Sequence, residues 1–186
     1  MIINHRGRVL KSTGSWYSVM ESTGDIVDCR LKGLFRTKGI RATNPIAVGD
    51  LVDYFVEKDN KSGIITKIHT RNNYIIRKAT KLSKATHIIA ANIDQVVIIA
   101  SLIQPRTSTG FIDRILTTAE AYHIPAIIII NKIDLYDKEI DEKLELIKNT
   151  YEGVGYKVHL TSVLEGIGLN DIEFILADKI SLLSGH

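Results

Sequence analysis

One cysteine in 186 residues, Cys29, has no partner for an intrachain disulfide and excludes a multi-cysteine zinc site. Long apolar runs are missing too. The longest, Ile124 to Ile130 with its single proline, is far too short to cross a bilayer. Nothing at the start of the chain has the charged, apolar and small-residue succession of a secretory signal. Extremes of composition are also absent. At 45% hydrophobic and 24% charged residues the balance is that of a globular protein, and wholesale disorder is excluded. The expected setting is the reducing cytoplasm, with no membrane partner.

The net charge of +3 is unevenly spread. Residues 1–72 carry 12 Lys+Arg against 7 Asp+Glu, net +5, whereas residues 73–186 carry 12 against 14, net −2. A basic first part joined to a mildly acidic remainder suggests two modules, the first with a polyanion as partner. That basic part reads as short strands between turns. Gly7–Leu10 and Trp16–Met20 flank the break Ser12-Thr13-Gly14-Ser15, and Ile26–Leu31 alternates with Val27, Cys29 and Leu31 on one face. Leu51–Val56, introduced by Val48-Gly49-Asp50, and Gly63–Ile68 complete five strands without helical periodicity. Seventy residues in this pattern predict a small all-β barrel over 1–72, of OB-fold or SH3-like type. Residues 73–91 then read as a basic connector, with Arg77, Lys78, Lys81 and Lys84.

From residue 92 the pattern alternates between strand and helix. Gln95–Ala100 (QVVIIA) and Ala126–Ile130 (AIIII) are continuous apolar runs suited to strands buried on both faces. Lys157–Leu160 and Lys179–Leu183 are shorter strands. Helices are predicted over Phe111–His123, after Asp137 and over Leu169–Ala177. This α/β order requires a parallel sheet with right-handed crossovers. Ligands of such sheets lie beyond the carboxyl ends of the strands.

After the second of these strands stands Asn131-Lys132-Ile133-Asp134, an N-K-x-D sequence. The Asp134 carboxylate can accept two hydrogen bonds from the ring N1–H and exocyclic amino group of guanine, a donor pair adenine lacks. Asn131 can bond the other edge of the base, and the Lys132 stem can lie along its face. Each hydrogen bond to a charged group contributes roughly 1.5–3 kcal/mol, and the wrong base leaves the carboxylate unpaired. The alternative is an ordinary strand-to-helix turn. After the third strand, Thr161-Ser162-Val163 with Gly166 and Gly168 can offer backbone N–H groups to the base oxygen. The fourth strand runs into Gly185-His186, where a strand entering glycine matches the start of a phosphate loop, G-x-x-x-x-G-K-[ST]. A dinucleotide-binding enzyme is disfavoured, because Ala100-Ser101-Leu102-Ile103 follows the first strand where G-x-G-x-x-G is needed.

Base-recognition residues ahead of a phosphate loop, behind an N-terminal barrel, describe a circular permutation of the usual GTPase order. In this the sequence resembles the ribosome-small-subunit-dependent GTPase A (RsgA/YjeQ) family over essentially its whole length. The resemblance rests on Val48-Gly49-Asp50, Arg71-Asn72-Asn73, Ala91-Asn92-Ile93-Asp94-Gln95 and Phe111-Ile112-Asp113-Arg114. It continues through Asn131-Lys132-Ile133-Asp134, Gly155-Tyr156 and Ser184-Gly185-His186. Val163 stands where the family usually has alanine.

The resemblance implies an OB-fold, a permuted GTPase domain and a zinc-binding domain, acting in late maturation of the small ribosomal subunit with GTP hydrolysis stimulated by that subunit. It implies Mg²⁺ with GTP and a structural Zn²⁺ in the complete protein. The phosphate loop, both switch segments and the zinc domain would lie past His186, so this chain looks like the N-terminal part of such a protein. It is expected to be inactive by itself, to have no catalytic residue or metal of its own, and to be a monomer. A non-enzymatic RNA-binding module with an α/β scaffold is the alternative. Arg6, Arg8, Lys11, Arg36, Lys38 and Arg41 are expected to face ribosomal RNA, with Trp16 or Tyr17 stacking on a base. The permuted order also predicts that Lys179–Leu183 pairs beside Gln95–Ala100, for a spatial order of fourth, first, second, third.

Overall fold

The computed structural model describes residues 4–31, 45–56, 62–77 and 87–185, which form two compact units dividing between Asn92 and Ile93. In the first unit, β1 (Asn4–Thr13), β2 (Trp16–Glu21), β3 (Ile26–Leu31), β4 (Leu51–Val56) and β5 (Gly63–Ile68) close into a barrel. The order around it is β1-β2-β3-β5-β4. β3 and β5 are parallel, with Cys29 opposite Gly63, and the other neighbours are antiparallel. This closure is OB-like, which decides between the two barrels compatible with the sequence.

Alternation along the strands builds the core. Val9, Tyr17, Val19, Cys29, Ile46, Val52, Tyr54 and Ile65 are buried together inside the barrel. Burial pushes the Cys29 thiol up to about 12, so it behaves as a small apolar side chain. β1 and β2 extend beyond their predicted ends, and the break between them shrinks to Gly14-Ser15, with Gly14 in the left-handed region at φ +59°. A bulge between Val9 and Lys11 shifts the register of β1. It leaves Val9 inside and turns both Leu10 and Lys11 outward.

The stretch read as a connector is more than a linker. β6 (Tyr74–Arg77) and β7 (His87–Ala91) form an antiparallel hairpin, with Ile75 and Ala91 buried. The hairpin is tied to the Val48-Gly49-Asp50 turn, since the Ala91 N–H donates to Val48 C=O at 2.9 Å and Asn92 Nδ2 donates to Gly49 C=O at 3.0 Å. Arg71 grips the same turn, donating to both carboxylate oxygens of the fully buried Asp50 at 2.6 and 2.7 Å. A side chain at Gly49, whose φ is +91°, would place its Cβ 1.9 Å from the Ala91 carbonyl oxygen. Glycine is therefore required there on both steric and conformational grounds.

The second unit holds β8 (Gln95–Ala100), β9 (Ala126–Ile130), β10 (Lys157–Leu160) and β11 (Ser181–Gly185) in one parallel sheet of order β10-β9-β8-β11. The last strand thus lies beside the first, as the permuted order predicts. Three helices connect them: α1 (Thr109–Ala121), α2 (Lys138–Gly153) and α3 (Leu169–Leu176). Ser108 caps α1 and Asp137 caps α2, each side chain accepting a backbone N–H three residues on. Val96, Val97, Ile98, Ile128 and Ile130 are fully buried, which accounts for the unbroken apolar runs of the two central strands. β11 starts two residues later than predicted, because the N–H of Lys179 still closes a turn onto Leu176 C=O. The N–H of Ile180 then donates to the Asp94 carboxylate, and pairing begins with Ser181 opposite Gln95.

Candidate guanine site and basic surface

Register brings the site together. Ala100 lies opposite Ile130, and Ile130 opposite Leu160, so the loops after β8, β9 and β10 leave the sheet at one level. The N–H of Asn131 donates to Ala100 C=O at 2.8 Å, and the N–H of Thr161 to Ile130 C=O at 2.9 Å. The ladder therefore continues one residue past the strands before the chains diverge.

At this end of the sheet the two predicted loops hold each other. Asn131 Oδ1 accepts from the Thr161 hydroxyl at 3.1 Å and from the Val163 N–H at 3.3 Å. Because both partners can donate, the oxygen is assigned to this side and Nδ2 is left to reach a ligand edge. Ser162, fully buried, donates its hydroxyl to Asp134 Oδ1 and accepts the Glu165 N–H at 3.1 Å. Asp134 itself is exposed, its backbone set by a single 3₁₀ turn over Ile133–Leu135. A carboxylate steered on one oxygen by a buried hydroxyl and open to solvent on the other is suited to a bidentate donor pair such as the guanine edge.

Lys132 is half-buried and left-handed, with φ +68°, and its ammonium donates to the Gln104 carbonyl. Ile133 is also half-buried, and its N–H donates to Thr161 C=O at 3.2 Å. The loop N–H groups expected at the base oxygen are engaged within the protein: that of Val163 with Asn131, that of Ser162 with Ile167 C=O at 3.1 Å. The 3.3 Å bond from Val163 is the longer and weaker of the two. Gly168, at φ +72°, allows α3 to start against β10, since a Cβ there would lie 2.5 Å from the Leu160 oxygen. Gly185 ends β11 opposite Ile99 of β8, so β8 lies between it and β9, which carries Asn131, and His186 lies outside the described residues.

Sequence reasoning missed the groups that hold the motif from below, Leu102, Gln104 and Tyr136. The only signal for them is the apolar Leu102-Ile103 after a buried strand, which points to packing rather than to a site. Among the described residues no group of three or more His, Cys, Asp or Glu could hold a metal ion.

The basic residues of the barrel divide. Arg6, with 65% of its side chain exposed, pairs with Asp53 at 2.9 Å. That guanidinium, followed by His69, holds the Asp53 carboxyl below its usual range. Arg8 is half-buried and donates to Gly49 C=O at 3.0 Å, which ties it to the turn. Lys11 is exposed, while Arg36, Lys38 and Arg41 lie outside the described residues. Trp16 is exposed, with the Arg30 guanidinium 4.9 Å above its ring, whereas Tyr17 is a core residue and is not placed to stack on a base. Arg30 was missed, although its place on the outward face of an alternating strand was visible.

Comparison with known proteins follows the same division. The RsgA N-terminal domain family matches residues 6–65, and the RsgA GTPase family matches residues 68–186. The chain is 51% identical over 183 residues to the small ribosomal subunit biogenesis GTPase RsgA of Flavobacterium johnsoniae, covering 97% of this chain and 56% of that protein. It is 46% identical to the protein of the same name from Flavobacterium psychrophilum, with 97% and 56% covered. Among solved structures, YjeQ from Thermotoga maritima superposes with a TM-score of 0.76 at 31% identity, over 99% of this chain and 61% of that one. YloQ, described as a circularly permuted GTPase, gives 0.71 at 32% identity, over 99% and 60%. The chain thus spans little more than half the length of the curated relatives it matches. A barrel followed by a parallel sheet whose last strand returns beside its first, with both family matches falling on those two units, makes this chain a member of the RsgA GTPase family.

Proposed function

We propose that the complete protein is a cytoplasmic GTPase of small-subunit ribosome maturation, and that this chain supplies its rRNA-facing barrel and its guanine-recognition half. The observation that carries the reading is Asp134, steered by the buried Ser162 hydroxyl and set beside Asn131 at the carboxyl ends of β9 and β10. Nucleotide affinity in a phosphate-loop protein comes mostly from backbone N–H groups and a lysine around the phosphates. The 186-residue chain should therefore bind GTP weakly and hydrolyse none, while the full-length protein binds GTP in preference to ATP. Equilibrium competition with a fluorescent GDP on both proteins checks this. Equal affinity of the full-length protein for GTP and ATP would refute the guanine reading.

Recognition of rRNA is assigned to the barrel through Arg6, Arg8, Lys11, Arg36, Lys38 and Arg41, supported by its net charge and by the exposed Trp16–Arg30 pair. Arg8 serves this surface chiefly by anchoring the Gly49 turn. Phosphate neutralisation releases counterions, so binding to the small subunit should weaken steeply with salt. Charge reversal at Arg36 and Lys38 should lower the affinity at least tenfold and flatten the salt slope, read by co-sedimentation with subunits. Unchanged binding after both reversals would move the contact elsewhere.

A further inference from the structure

We propose that Tyr136 is a positioning residue for base recognition, its hydroxyl fixing the peptide that joins Asn131 to Lys132; this rests on reading Asn131–Asp134 as the guanine site. The 3₁₀ turn over Ile133–Leu135 folds the chain back, with the N–H of Leu135 on Lys132 C=O and that of Tyr136 on Ile133 C=O. This brings the half-buried Tyr136 ring beneath the start of the motif. Its hydroxyl donates to Asn131 C=O at 2.9 Å and accepts the Leu102 N–H at 3.0 Å. One oxygen thus links the loop after β8 to the loop after β9.

The bonded carbonyl belongs to the peptide whose rotation sets the φ of Lys132. Lys132 is left-handed at φ +68°, a conformation that a non-glycine residue adopts only when its surroundings impose it. Two contacts with the 102–104 loop do so here: the Tyr136 bridge, which ties that peptide's carbonyl to the Leu102 N–H, and the Lys132 ammonium on the Gln104 carbonyl. The same peptide orients the Asn131 side chain, which the Thr161 hydroxyl and Val163 N–H hold at its oxygen. Without the bridge the peptide can rotate toward an ordinary φ, and Asn131 and Lys132 both leave the positions from which they meet a base. Phosphate affinity does not depend on this peptide.

The substitution Tyr136→Phe keeps the ring and removes only the bridge. In the full-length protein it should weaken GTP about three- to tenfold while leaving ATP affinity as it was, so the GTP/ATP ratio narrows by that factor. A Tyr136→Phe protein whose melting temperature falls with an unchanged ratio would show a purely structural tyrosine and overturn the proposal. Asp134→Asn, run alongside, separates the two readings. If it alters base preference and Tyr136→Phe does not, guanine recognition stands and the positioning role falls; if neither alters it, both fall. A nucleotide-independent check uses the 186-residue chain itself: the Leu102 amide should exchange at least tenfold faster in the variant, with Val97 unaffected. Unchanged protection at Leu102 would overturn the bridge.

Discussion

Replacing Asp134 by asparagine is expected to move the base preference of the full-length protein from guanine toward xanthine nucleotides. The substitution keeps an oxygen for the Ser162 hydroxyl, so the side chain stays where the wild-type carboxylate is held. What changes is the outer atom, from an acceptor to an NH₂ donor. Guanine presents its own amino group to that atom and loses a charged hydrogen bond of roughly 1.5–3 kcal/mol, about ten- to a hundredfold in affinity. Xanthine has a carbonyl in place of the amino group and gains a partner. Competition of GTP, XTP and ATP against a fluorescent GDP measures the exchange in wild type and variant. A variant with the wild-type ranking would mean that Asn131-Lys132-Ile133-Asp134 is a turn, and the nucleotide assignment would lose its main support.

Arg71→Met is expected to have the largest effect on stability, through the barrel unit. Asp50 is fully buried and accepts from the Ala47 N–H at 2.8 Å and from two guanidinium nitrogens of Arg71 at 2.6 and 2.7 Å. Removing Arg71 strips a buried carboxylate of its counter-charge and both guanidinium donors, a loss of about 3–5 kcal/mol. The carboxylate in turn raises the pKa of Arg71, consistent with a tight pair. Urea unfolding followed by Trp16, the single tryptophan of the sequence, reports on the barrel unit alone. Asp50→Asn combined with Arg71→Met should lose less than Arg71→Met by itself, because the stranded charge is then gone. A loss below about 1 kcal/mol for Arg71→Met would place the pair among solvent-screened surface bridges.

These two variants also separate motifs that look alike in the sequence. Val48-Gly49-Asp50, Arg71-Asn72-Asn73 and Ala91-Asn92 carry as many polar groups as the base-recognition loops. Yet they bond to one another: Asn92 Oδ1 accepts the Asn72 N–H at 2.8 Å, Asn92 Nδ2 reaches Gly49, and Arg71 grips Asp50. Their polar groups are consumed in closing the first unit. Around Asp134 the same kinds of side chain are satisfied on one side only, which is the difference between a structural clamp and a site.

Local pattern was enough for most of the elements, though not for β6 and β7, whose short strands lie in a stretch that reads as a basic connector. Short runs between turn residues marked the barrel strands, with period-two alternation in Ile26–Leu31, unbroken apolar runs marked β8 and β9, and Asp137 announced α2, because burial on one face or two leaves its trace within a few residues. N-K-x-D was readable for the same reason, since its chemistry lies in four consecutive side chains, and the permuted motif order carried the strand order with it. What pairs across the chain has no such trace. The parallel contact of β3 with β5, the Arg71–Asp50 grip, the Ser162 hydroxyl on Asp134 and the Tyr136 bridge join residues that local periodicity treats independently. Trp16 and Tyr17 are neighbours in sequence and opposites in burial, and only barrel closure decided which ring meets solvent. Those outcomes depend on register and closure, which many sequences with the same alternation would satisfy differently, so they were settled by the tertiary structure alone.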